Sequence, residues 1–128
     1  MNAEELLNVQ VQEKRMYALL NEVFDLTKQL SEAVDRRDEI AIRMLLSMRE
    51  EPLGKLRRAD LSLKELGGGL EAADADRLTA MLAGAEPERS EEAALCDQVG
   101  VNRRLLRQII ELDERTNRKL AHEKSVYQ

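Results

Sequence analysis

The chain has 128 residues, 43% hydrophobic and 35% charged, with only three aromatic side chains, one cysteine and a net charge of −5. That length supports one modest core, and an aliphatic, Glu/Lys/Arg-rich composition suits long amphipathic helices better than a sheet. The charge disfavours a general nucleic-acid binder, a lone Cys96 excludes an intramolecular disulfide, and no stretch approaches the ~20 apolar residues of a membrane span.

The first predicted element runs from about residue 3 to 35. Leu6, Val9, Glu13, Met16, Leu20, Val23, Thr27, Leu30 and Val34 alternate at spacings of three and four, and seven of these nine are apolar. That heptad seam is the strongest structural signal in the chain. Leu19, Phe24 and Leu26 widen the stripe beyond a two-stranded seam, which favours a bundle or an antiparallel hairpin of helices.

"DRRDEIAIRMLL" offers Asp38 as the N-cap of a second helix, with Glu39 in the first turn where the helix dipole favours negative charge. Its apolar residues, from Ile42 and Leu45 to Leu63 and Leu66, return along the first helix. Pro52 removes a backbone donor and clashes with the preceding turn, so a kink or break is expected there. "LGGGLEAADADRL" stops the second helix before Gly67, because three glycines lose the most backbone entropy on ordering.

A short helix over about 74–83 follows, and then "GAEPERSEEA". Residues 67–90 read as a flexible acidic connection. Residues 71–100 carry 2 basic and 8 acidic groups, against 7 and 4 in residues 101–128. Ser90 is the expected N-cap of a last helix reaching about Lys124, with Gly100 a weak point inside it. The expectation is a single all-α domain, an antiparallel bundle or hairpin of three long helices plus one short connecting helix.

Chemistry-bearing sets are missing. His122 has no second histidine to share a transition metal with, and "GGGLEA" lacks the lysine and the hydroxyl residue of a phosphate loop. Adjacent carboxylates such as Glu50 and Glu51 diverge on a helix, and no acid, base and nucleophile assemble. Neither an enzyme nor a cofactor is expected. The N-terminus lacks a basic start followed by an apolar run, so a cytoplasmic location is expected.

The last helix carries the functional signal. On a wheel of about 100° per residue, Leu105, Leu106, Ile109, Ile110, Leu112 and Leu120 fall within roughly half the circumference, more apolar surface than one neighbour covers. Asp113, Thr116 and Asn117 lie in the same arc and need partners if it is buried. Part of this face is a candidate surface for another chain. Met44 and Met48 are secondary candidates, because thioethers adapt to varied partners. A second reading takes "ALCDQVGVNRRLLRQII", within residues 94–110, as a helix-turn-helix that turns at Gly100 and presents Arg103, Arg104 and Arg107 to DNA. A third takes the heptads as a coiled-coil adaptor, which predicts a homodimer through the first helix.

Two stretches resemble bacterial flagellar export chaperones of the FlgN and FliT type. In "LSEAVDRRDEIAIRMLLSMREEPLGKL", residues 30–56, Asp38, Leu45, Leu46, Arg49, Glu50, Leu53 and Leu56 occupy the family's turn and Leu-rich helix. In "NRRLLRQIIELDERTNRKL", residues 102–120, Leu105, Leu106, Ile109, Leu112, Asp113, Asn117 and Leu120 match the "LL..I..LD...N..L" run of FliT-like proteins. The resemblance implies a cytosolic chaperone for late axial subunits, the hook-filament junction proteins or the filament cap, with export apparatus components as further partners. It implies that the chaperone lends an apolar helix face to the subunit's amphipathic helix.

Overall fold

A computed structural model describes the backbone of residues 1–127 and the side chains of residues 1–122. Helix α1 spans Ala3–Arg36, α2 Glu39–Gly68, α3 Ala72–Leu82 and α4 Ala93–Tyr127, the last preceded by a short 3₁₀ turn at Ser90–Glu92. No strand is present among the described residues.

The 34 residues of α1 make a rod about 50 Å long at 1.5 Å per residue. Asn2 and Glu5 cap it reciprocally, each side chain accepting from the other's backbone N–H at 2.8 Å, which satisfies two donors that the helix leaves open. The rod ends at Arg37, which adopts the left-handed conformation with φ 57°. One residue later Asp38 opens α2, its carboxylate accepting from Ala41 N–H at 3.0 Å. This tight connection folds α2 back antiparallel to α1.

Pro52 does not break α2. The helix runs through it, and its ring is fully buried. Leu45 before it and Ala59 and Leu63 after it are buried on the same face. Apolar anchoring on both sides outweighs the ~3 kcal/mol that a helix-interior proline costs. The helix also outlasts its expected stop, continuing to Gly68.

The acidic connection is docked. Leu78 and Met81 of α3 are buried with Leu6, Val9, Leu63, Leu95 and Val99 in a cluster at the N-terminal end of α1. Beyond α3 the chain reverses at Gly84, with φ 101°, where Gly84 N–H donates to Met81 C=O and Ala85 N–H to Ala80 C=O, both at 3.0 Å. A glycine suits this helix end because the left-handed region is nearly free of penalty for it. Arg77 then holds the following loop. Its guanidinium donates to the Glu92 carboxylate at 2.7 Å and to Glu86 C=O at 2.8 Å, and Glu88 N–H donates to Glu92 at 2.9 Å. Glu92 is almost wholly buried, and the Arg77 hydrogen bond holds its carboxyl at about 2, well below the usual 4.5.

Helix α4 passes through Gly100 without interruption. It lies parallel to α1, with Asn102 at Glu13, Leu105 and Ile109 at Leu20 and Val23, and Lys119 at Asp35. The long helices therefore run up, down and up, with α1 in the middle. Among the described residues no Cα of α2 comes within 8 Å of a Cα of α4.

Candidate partner-binding groove

Two helices laid along one central rod with their backbones apart leave a trough between them. Its floor is Glu13, Met16 and Leu20 of α1. One wall is Leu56, Arg57, Asp60 and Leu63 of α2, and the other is Val99, Asn102, Arg103 and Leu106 of α4. Leu82 of α3 closes one end, and the enclosed space is about 350 Å³. This volume seats a few aliphatic side chains of a docked segment, whose backbone would lie above the trough.

The other end is spanned by an ion pair. Arg49 of α2 donates to Asp113 of α4 at 2.7 Å and to the Thr27 hydroxyl of α1 at 3.2 Å. Thr27 in turn donates to Val23 C=O at 2.7 Å, so this contact ties all three long helices together. Two of the polar residues within the apolar arc of α4 thus have partners: Asp113 takes Arg49, and Thr116 donates to Leu112 C=O at 2.8 Å. Asn117 is exposed.

The floor also carries a carboxylate. Glu13 is 5% exposed; its carboxylate accepts from Asn102 Nδ2, which also donates to Glu13 C=O at 2.8 Å. Gln98 donates to Asn102 Oδ1 at 3.1 Å. Burial pushes the Glu13 carboxyl above its usual range and the nearby Asp60 adds to that, while the Asn102 hydrogen bond opposes both.

The sequence-predicted residues divide between bed and wall. Leu105 and Ile109 are buried against α1, 9% and 7% exposed, in a cluster that Leu53 and Leu56 of α2 join. Leu106 and Ile110 sit one position further round the helix, 44% and 46% exposed, on the flank that carries Asp113. Leu112 is half-buried, and Leu120 packs on the Leu26–Val34 cluster at the far end of α1. Met44 and Met48 are more than half exposed but stand apart. With the buried face of α2 centred on Leu45, Pro52, Ala59 and Leu63, about 100° per residue puts Leu53 and Arg57 on the trough side and both methionines on the opposite flank.

Met16, Leu56 and Glu13 line the trough although the sequence reading assigned them no partner, and Leu53 packs on the adjoining cluster. Glu13 had left a signal, a charged residue at a seam position of α1. The gap between α2 and α4 left none.

The helix-turn-helix reading loses its geometry. A turn at Gly100 is required to set two helices at an angle, and α4 is straight-through there. Cys96 is a free, half-buried thiol whose pKa is raised by burial, and His122 is exposed. Among the described residues no group of three or more His, Cys, Asp or Glu is placed to hold a metal ion, and no helix is long and apolar enough to cross a membrane. No family model, no curated protein and no solved structure matches this chain.

Proposed function

We propose that this chain is a cytosolic export chaperone that holds an amphipathic helix of a late flagellar axial subunit, a hook-filament junction or cap protein, in the trough between α2 and α4. The observation that carries the reading is the trough itself. Its α4 wall presents Leu106, 44% exposed; Ile110, 46% exposed, continues the same flank one turn further on, beside the packed cluster of Leu20, Val23, Leu105 and Ile109. A helix with apolar residues at i, i+3, i+4 and i+7 would cover these side chains and complete a four-helix arrangement. Such subunits assemble through amphipathic terminal helices, so covering one delays assembly until export. The resemblance of residues 30–56 and 102–120 to FlgN- and FliT-type chaperones supports the same conclusion, and the chemistry requires no cofactor.

The test is co-purification of tagged wild-type protein and of Leu106→Asp with a late flagellar subunit. The proposal expects capture by the wild type and loss of capture by Leu106→Asp with far-UV helicity unchanged. Capture that survives the aspartate contradicts it. Light scattering over a range of concentrations separates this reading from a coiled-coil adaptor, which requires a tight dimer through α1.

A further inference from the structure

We propose that the helix seated in the trough carries one cationic side chain, lysine or arginine, within its apolar stripe, and that Glu13 receives it. This rests on the reading of the trough as a docking site and names the chemistry that selects the occupant. Glu13 lies in the floor, 5% exposed. Among the described residues no Lys or Arg nitrogen lies within 4 Å of its carboxylate: Arg57 and Arg103 line the rim without pairing with it, and Asp60, the other acid of the trough, pairs with Lys64.

Its bond to Asn102 does not account for the charge. Holding α1 and α4 in register requires only an acceptor, and a glutamine amide oxygen supplies one. A carboxylate kept in an apolar floor is costly unless a cation arrives to meet it. An occupant with an unbroken apolar stripe strips the remaining water from Glu13 and offers nothing in return. An occupant with one lysine at that level converts the same group into a paired charge. Glu13 therefore acts against the wrong helix as much as for the right one, which is how specificity arises in otherwise permissive apolar grooves.

The probes are two designed 18-residue amphipathic peptides, identical except for a lysine or a leucine at the central stripe position. They are titrated by fluorescence anisotropy into the full chain and into Glu13→Gln, with a thermal melt to establish that the variant is folded. The wild type should prefer the lysine peptide by about tenfold, and Glu13→Gln should reverse or abolish that preference. Carbodiimide coupling of the lysine peptide to the wild-type chain should join it to Glu13, a readout that does not depend on the variant. Equal affinity of the two peptides for the wild type, a preference that survives Glu13→Gln, or coupling at other carboxylates alone would leave Glu13 a register contact and overturn the inference. If neither peptide binds, the trough is not a helix-docking site, and that failure sinks the inference together with the reading beneath it.

Discussion

Ile109 and Ile110 are neighbours in sequence with opposite surroundings, and substituting each separates the core from the proposed binding wall. Ile109 is 7% exposed and packs with Leu20, Val23 and Leu105. Its truncation to alanine removes methyl groups from a filled site and costs about 3 kcal/mol. For a chain between the sizes usually surveyed, that is a fall in Tm of roughly 10–15 °C.

Ile110 is 46% exposed, so replacing it with aspartate disturbs little packing. The change should fall within about 1 kcal/mol, a Tm shift of roughly 3–5 °C. Binding should respond in the reverse order. Full burial of an isoleucine side chain contributes about 1.5–3 kcal/mol, so covering what Ile110 still exposes contributes about 1 kcal/mol. A carboxylate there adds a desolvation penalty, and the combined loss of at least about 1.4 kcal/mol weakens a docked helix tenfold or more. Circular dichroism melts and isothermal titration with a captured subunit's terminal helix read both effects. The reasoning is refuted if Ile110→Asp melts as early as Ile109→Ala, or if it binds the segment as tightly as the wild type.

Other outcomes follow from single contacts. Gly84→Ala places a Cβ 3.3 Å from Arg103 Nε in a left-handed conformation that disfavours L side chains by roughly 1–2 kcal/mol, so urea denaturation should show a lowered midpoint with an unchanged slope. Asp113→Ala removes the partner of the half-buried Arg49, and amide exchange should rise around Val23–Thr27 and along the facing turns of α2 and α4. Glu92 has a folded pKa of about 2 against the usual 4.5. Its contribution is therefore complete above pH 4.5 and lost as pH falls from 4.5 towards 2. Glu13 is shifted upward and acts oppositely, adding stability as pH falls through its folded pKa towards 4.5. Urea midpoints measured against pH should show a weaker acid loss in Glu92→Gln and a steeper net loss in Glu13→Gln.

Much of the fold was legible because period and punctuation agree. The α1 heptads, the Asp38 cap and the glycine run place three of the four helices within a few residues of where they stand. Pro52 does not break α2 because a local rule met a tertiary override: buried apolar residues on either side continue the helix through it. The connection read as flexible because acidic composition masks two deeply buried residues, Leu78 and Met81, and because the Arg77–Glu92 pair joins residues that sequence spacing does not associate. In α4 the apolar arc was visible, but only packing divides it into a buried bed at Leu105 and Ile109 and a half-open wall at Leu106 and Ile110. Met44 and Met48 were singled out for the adaptability of their thioethers, a property that carries no information about which flank of α2 they occupy. Which flank of α2 turns towards α4 is set by how both helices sit on α1.

Methyl chemical-shift mapping during titration with the terminal helix of a late flagellar subunit tests the trough most directly. The account predicts that the methyls of Leu53, Leu56, Leu106 and Ile110 shift and saturate together while those of Met44 and Met48 stay in place. Shifts confined to the two methionines, or no shift along the trough at saturating peptide, would contradict it.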